Sequence, residues 1–402
     1  HRLGTRIGRR IGLYGSRQIA VLEGHKSYVN AVAITPDGRH CLSASSDNSL
    51  RLWNLESRTS LRTLNGHSAN VNAVSITPDG RYGISGSDDH SLKVWDLEMG
   101  RCVQQLKGHT GKVRAITLTP DGCQIISNSD DGTIRLWDLE TGTCLRTFEG
   151  HAFNIKAVAI TPDGGHVLSN RTDDNLHLWE LKSGAVIRTF GRRAGFLGAV
   201  AITPDGHRAL AWDPGHGLRL WDLQTRACLH TFKVHRLTAE AQAVVVTQDG
   251  RYGISGGMEK TLRIWDLESG TCLQILEGHT SDVKALAITS DGRYLLSGGL
   301  DKSLRLWELD WNYKFPKPTD WDEGARPYLE NFLTLHTPYA GKIPQDSEPT
   351  EELIHLALTR RGKPTWTERE FEQLLYTLGR AGYGWLRREG IKRNLNELLK
   401  AR

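Results

Sequence analysis

Five times along this 402-residue chain a His, a Ser, an Asp and a Trp recur in one order and at one spacing. The sets are His25, Ser43, Asp47 and Trp53; His67, Ser85, Asp89 and Trp95; His109, Ser127, Asp131 and Trp137; His151, Ser169, Asp173 and Trp179; and His279, Ser297, Asp301 and Trp307. Ser, His and Asp are the three groups of a nucleophilic triad, in which imidazole takes the hydroxyl proton and the carboxylate orients the imidazole. A catalytic triad, however, is needed once, with its groups converging on one reacting atom. Five copies at a fixed interval describe a building element, so no residue is assigned a catalytic role. Other chemistry is sparse. There is no GxxxxGK phosphate loop, HExxH metal helix or GxSxG turn, and the glycines of GRAGYG at 379–384 have the wrong order for a dinucleotide fingerprint. Cys102, Cys144, Cys228 and Cys272 each follow a Trp by seven residues, and no CxxC pair exists. They read as buried small hydrophobes, and no metal or cofactor is implied.

The elements that carry these sets are themselves repeated. Trp53, Trp95, Trp137, Trp179 and Trp221 are spaced 42 residues apart, Trp265 follows after 44, and Trp307 after another 42. Each ends a phrase such as SLRLW or TIRLW, with a variant of TPDGRY upstream. One copy, 29–64, reads as four strands: VNAVAIT, a Pro36-Asp37-Gly38 turn, RHCLSAS, an Asp47-Asn48 turn, SLRLWNL and SLRTLNG. A single sheet of this kind exposes both faces, so copies must stack to bury them.

The recurring Gly-His, Asp and Trp-Asp resemble WD-repeat β-propellers over about residues 17–310, with near-identical repeats similar to bacterial examples. The resemblance implies an all-β fold: a seven-bladed propeller of four-stranded antiparallel blades. It also implies a structural tetrad in which Asp accepts from His, His bonds Ser, and Ser meets the indole N–H. RQIAVL at 17–22 matches the fourth strands of other copies and is expected to complete the last blade, 283–309, closing the ring. Residues 1–16 form a basic linker, and 311–402 a small helical extension. Helices are expected at about 323–336, 350–361, 367–380 and 390–401, with a Thr367/Glu370 capping box and an apolar face of Phe371, Leu374, Leu375 and Leu378.

Blades five and six depart from the pattern. Arg193, Ala211 and Gly215 stand in the fifth where His, Ser and Asp are expected. The sixth keeps Ser255 and Trp265 but has Glu259 for Asp, and two extra residues put His235 out of register. These two blades are expected to be the least rigid.

Positions that vary between copies are free for recognition. After each Gly-His they are Tyr28 and Asn30, Asn70 and Asn72, Lys112 and Arg114, Asn154 and Lys156, Phe196, Glu240 and Gln242, and Asp282 and Lys284; before the turn Asp they include Met258 and Leu300. In the resembled family such positions ring the mouth of the central channel. Trp212, where other copies have Ala, Gly or Asn, either anchors a partner or, with Phe196, fills space left by the missing tetrad.

Charge narrows the partner. Residues 1–17 hold five Arg and no acid, 311–402 carry a net +2, and 18–310 a net −2. A nucleic-acid reader usually has its basic stripe on the main domain, so a protein or peptide partner is expected instead. No apolar run is long enough for a membrane helix. The chain begins at His1 without a signal sequence, which points to the cytoplasmic C-terminal part of a longer protein, a sensor or scaffold behind an upstream signalling domain. Alternatives are an enzyme propeller with a channel site, or nucleic-acid binding through the basic ends.

Overall fold

The computed structural model describes residues 16–149, 157–170, 176–190, 199–213, 217–232, 241–309, 325–335, 366–378 and 388–401. The chain divides into two units, His1–Lys314 and Phe315–Arg402.

In the first unit, 28 strands (β1–β28 in chain order) are described, assembled as seven separate four-stranded antiparallel sheets. Blade one is β2 (Val29–Ile34), β3 (His40–Ser45), β4 (Ser49–Asn54) and β5 (Thr59–Asn65), paired in that order. The turn between β2 and β3 shows why the phrase TPDG recurs. Gly38 takes the left-handed conformation (φ 71°) that a tight turn requires. Asp37 meanwhile accepts from the Thr35 hydroxyl at 2.5 Å and the Arg39 N–H at 2.9 Å. The fold is thus a seven-bladed propeller, its innermost strands neighbouring one another in a closed cycle.

The last sheet joins the two ends of the unit. Its order is β1 (Arg17–Leu22), β28 (Leu304–Glu308), β27 (Tyr294–Gly299) and β26 (Val283–Ile288). Arg17 pairs with Glu308 and Leu22 with Leu304 in antiparallel register. Two side-chain contacts reinforce the join: Arg17 Nη2 donates to Glu308 at 3.2 Å, and Arg305 Nη1 to Gln18 Oε1 at 2.5 Å.

The core lies between blades rather than within them. Trp53 of blade one packs with Leu22, Leu296, Leu304 and Leu306 of blade seven, and Trp95 of blade two with Leu42, Leu50 and Leu52 of blade one. Each Trp therefore wedges into its predecessor, burying faces that a lone sheet would expose. Where backbones must approach closely, side chains shrink. A Cβ on Gly298 would lie 2.6 Å from Val29 of the next blade, and one on Gly256 2.8 Å from Val283.

One expectation about these blades fails. Cys102, Cys123, Cys144, Cys228 and Cys272 are exposed, and Cys41 alone of the six is buried. The four after the tryptophans lie on the outermost strand of their blades, which no further strand covers.

In the second unit, α1 (Arg326–Leu335), α2 (Glu368–Leu378) and α3 (Arg388–Ala401) share a core of Leu329, Leu333, Phe371, Leu374, Leu378, Ile391 and Leu395. Thr367 and Glu370 cap α2 reciprocally: Thr367 N–H donates to Glu370 Oε2 at 2.5 Å, and Glu370 N–H to Thr367 Oγ1 at 3.3 Å. The helix expected at 350–361 lies outside the described residues. None of the described helices is long and apolar enough to cross a membrane.

Candidate functional site

Antiparallel pairing sets Ser43 on β3 opposite Arg51, beside Trp53 on β4, while His25 and Asp47 come from the two loops at one end of the blade. His25 Nδ1 lies 2.9 Å from Asp47 Oδ2, His25 Nε2 2.7 Å from Ser43 Oγ, and Trp53 Nε1 donates to Ser43 Oγ at 2.8 Å. The arrangement repeats for His67, Ser85, Asp89 and Trp95, with Ser85 2.7 Å from His67 and 2.8 Å from Trp95. It repeats again for His109, Ser127, Asp131 and Trp137 and for His279, Ser297, Asp301 and Trp307. In blade four the Trp179–Ser169 bond is present at 3.0 Å, while His151 and Asp173 lie outside the described residues.

Electrostatics fix the protons. Burial pushes the Asp47 and Asp131 carboxyls upward, but donors from the Ser49 or Thr133 hydroxyl, the backbone N–H of Lys26 or Thr110, and His25 or His109 outweigh it and hold both at about 2. An ionised carboxylate accepts only, so Nδ1 must donate. Burial holds His25, His109 and His279 below the ordinary histidine value, although their Asp partners pull the other way. The ring is then neutral, Nε2 accepts, and the Ser hydroxyl donates to it while accepting from the indole. These are the proton positions of a nucleophilic triad. Ser43, Ser85, Ser127 and Ser297 are nevertheless 0% exposed, and each hydroxyl is engaged by its histidine and its indole inside the blade. Their geometry staples loop to strand.

Blades five and six solve the same problem differently. Ala211 and Trp221 are both buried in blade five, and Arg193 and Gly215 lie outside the described residues. In blade six Trp265 Nε1 still donates to Ser255 at 2.9 Å, but Glu259 turns to Arg263, whose Nε donates to it at 3.0 Å. His235 lies outside the described residues.

Because the N–H groups of Lys26, Ser68, Thr110 and Thr280 donate to Asp47, Asp89, Asp131 and Asp301, the described loops after Gly-His and the turns bearing the Asp share one face. The described variable residues of these loops and turns gather there, some exposed and some half-buried. Tyr28, Lys112 and Met258 are exposed. Asn30, Asn70, Asn72, Arg114, Gln242, Asp282, Lys284 and Leu300 are half-buried. Asn154, Lys156, Phe196 and Glu240 lie outside the described residues.

Trp212 requires correction. It is 2% exposed, packed with Leu210, Leu218, Phe232, Ala241 and Trp265, and is unavailable to a partner. The reason is a paired change. Blades one, two, three and seven begin their inner strand with Val29, Val71, Val113 and Val283, whereas blade six begins with Ala241. Trp212 fills the room that the smaller Ala241 leaves.

Some variable side chains turn out to clasp the ring. Asn30 Nδ2 donates to Val71 O and Asn72 Nδ2 to Val113 O, each at 2.9 Å, linking one blade to the next. Arg114 grips Asp130 through Nε at 2.9 Å and reaches Asp88 of blade two at 3.6 Å, where Lys112 also pairs at 3.2 Å. Over blades two and three, then, cations and acids cancel. Sequence reasoning gave no weight to Lys26, Lys260 and Lys302, which are also exposed on this face. The available signal was that Lys260 and Lys302 replace Asn48, His90 and Gly132 of other copies.

Seven sheets around a closed cycle, stapled by repeated His-Ser-Asp-Trp networks and presenting unlike side chains on one face, define a repeat propeller of the interaction-scaffold class. A family model described as WD domain, G-beta repeat matches residues 16–54, 58–96, 100–138, 142–180, 226–266 and 270–308, and the chain belongs to this WD40 family. Residues 181–225, where Ala211 replaces the serine, are unmatched. Similar proteins include Ribosome assembly protein 4 of Saccharomyces cerevisiae, 50% identical over 42 residues, covering 10% of this chain and 8% of that protein. Small ribosomal subunit protein RACK1y of Oryza sativa subsp. japonica is 56% identical over 34 residues, 8% of this chain and 10% of that protein. Lissencephaly-1 homolog 1 of Paramecium tetraurelia is 49% identical over 37 residues, 9% of each chain. The matches span at most a tenth of these relatives, about the length of one repeat.

Proposed function

We propose that the propeller recognises a protein or peptide on the face formed by the post-Gly-His loops and the Asp-bearing turns, with no chemistry of its own. The observation that carries this reading is the division within each repeat. The sealed tetrads hold the backbone, while Tyr28 and Met258, at variable positions, remain 47% and 43% exposed on the same loops. Large side chains held on a rigid frame bind with little entropic loss. Two relatives are named as a ribosome assembly protein and a ribosomal subunit protein, names that fit work within assemblies. On this reading the chain is the cytoplasmic sensor part of a larger signalling or defence protein of bacterial type, whose NTPase, protease or kinase domain responds when the face is occupied; the near-identity of the repeats supports that placement.

The test is selection of binders from a displayed peptide library against the purified chain, followed by titration on face variants. Tyr28→Glu with Met258→Glu is expected to weaken selected peptides at least tenfold, and Arg39→Glu, on the opposite TPDG turns, to leave them unchanged. The reverse pattern would place recognition on the other face.

A further inference from the structure

We infer that the occupant of this face is a peptide segment of no net charge bearing bulky apolar side chains, and that it docks over the arc of blades six, seven and one; this rests on the reading above and narrows it. The arc is contiguous and held by backbone bonds. Gly256 lies against Val283, which places Met258, two residues on, beside the Asp282 position of blade seven, and Leu300 N–H donates to Asp282 O at 2.9 Å. Gly298 lies against Val29 in the same way, which places Leu300 beside Tyr28 of blade one, whose carbonyl accepts from Ser46 N–H at 2.9 Å. Met258, Leu300 and Tyr28 thus follow one another around the rim.

The charges of the arc cancel. Lys26, Lys260 and Lys302 are exposed. Leu22 pairs with Leu304 and Leu276 with Leu262, which brings the next residues along, exposed Glu23 and Glu277, to the turns that bear Lys302 and Lys260. Half-buried Asp282 stands in the blade-seven loop, so three carboxylates answer three ammonium groups. The remaining acids are engaged within the fold, Asp47 and Asp301 with their histidines and Glu259 with Arg263, and half-buried Lys284 has contacts of its own. Among the described residues of the arc no sign of charge is in surplus, and a carboxylate set against Lys302 would also face Glu23.

The polar rim beyond the arc is occupied by its own bonds. Asp88 accepts from Asn72 Nδ2 at 2.7 Å and from Lys112 at 3.2 Å, Asp130 holds Arg114, and Asn30 donates to Ser46 Oγ at 2.9 Å. A partner there must displace bonds already made, whereas the Met258 and Leu300 side chains have none to lose. Burying them with the Tyr28 ring is the gain the arc offers, and apolar side chains of an uncharged segment collect it. A charged segment would bring charges to be desolvated without an unopposed partner. Nucleic acid fits less well for the same reason, since each lysine has a carboxylate to match it.

The probe is a fluorescein-labelled pool of 12-residue peptides, each with two Leu, Met or Phe among Ser, Gly, Asn and Gln. Anisotropy compares it with a pool in which Ser replaces the apolar residues and with pools in which Asp and Glu, or Lys, replace the uncharged ones. The neutral, anchored pool should bind at least tenfold more tightly than the Ser pool and at least as tightly as either charged pool. Its affinity should change less than twofold between about 50 and 500 mM salt. Met258→Ser should weaken it about fivefold and Tyr28→Ser with Met258→Ser at least tenfold, whereas Lys26→Ala with Lys302→Ala should change it less than twofold. All substituted side chains are exposed, and an unchanged thermal midpoint confirms folding. Tighter binding of either charged pool, loss of affinity on the double lysine change, or no difference from the Ser pool overturns the inference. If library-selected peptides still need Tyr28 and Met258 in that case, the face remains a peptide site and only the chemistry assigned to its occupant is wrong. If no library peptide needs them, the broader reading falls as well. Tighter, steeply salt-dependent binding of a 20-nucleotide poly-dT strand would overturn the inference in favour of nucleic acid.

Discussion

Blade one and blade five share a strand plan and a tryptophan, yet hold themselves together by different means. In blade one Trp53 ends in a hydroxyl that a histidine and an aspartate keep oriented. In blade five the hydroxyl is replaced by Ala211, and apolar mass does the work. Trp212 fills the gap toward blade six, while Phe190 of blade four meets Trp221 edge-on with centroids 6.3 Å apart. A buried network constrains geometry because every member needs its partners, whereas an aromatic cluster tolerates small displacements. The same fold position can thus be secured by direction or by volume.

Four substitutions and conditions bear on this contrast. Trp212→Ala should be the most damaging, costing about 3–5 kcal/mol of stability in urea unfolding, because a large cavity opens between two blades. Binding of any face-selected peptide should survive in the folded fraction; loss of binding at unchanged stability would return Trp212 to the recognition surface. Ser43→Ala should cost about 1–3 kcal/mol by stranding the Trp53 indole and His25 together. A cost below a few tenths would mean that the network adds nothing to packing.

Acid should separate the blades in two stages. Because His25, His109 and His279 are held below the ordinary value, the unfolded chain binds their protons first. Their contribution is whole above about pH 6.5 and is lost as pH falls below it. Asp47 and Asp131, at about 2, contribute above the ordinary carboxylate range and lose that contribution as pH falls toward 2. The thermal midpoint should therefore drop in both windows, and His279→Gln should flatten the upper one; a midpoint constant from pH 8 to 5 would contradict the neutral-ring assignment. Smallest of all, Ala211→Ser supplies a hydroxyl where Ser43 stands in blade one and should raise stability by about 0.5–1.5 kcal/mol through a bond to Trp221.

Comparing copies made the tetrads and the blade count legible, because identical residues at identical spacing must occupy identical environments. Reading function from difference was less dependable. Trp212 differs from Ala44, Gly86 and Gly298 because its neighbour Ala241 differs, a compensation across sheets that no single repeat displays. Asn30 and Asn72 vary among copies yet bond the adjacent blade. The exposed cysteines were misread because a Cys in a strand looks alike whether its strand is central or outermost. The pairing of Lys112 with Asp88 and of Arg114 with Asp130 emerged only when ion pairs could be traced, since sequence lists charges without saying which of them meet.

The join between β1 and β28 has a consequence for biogenesis. Arg17 and its partner Glu308 are 291 residues apart, so at ribosomal rates of about 5–20 residues per second the first strand is made roughly 15–60 s before its mate exists. Throughout that interval six blades could assemble while Val21 and the unpaired β1 backbone stay sticky and accessible. Nascent chains should therefore depend on holding chaperones until the final blade leaves the exit tunnel, and a stalled ribosome late in the message would release an aggregation-prone open arc.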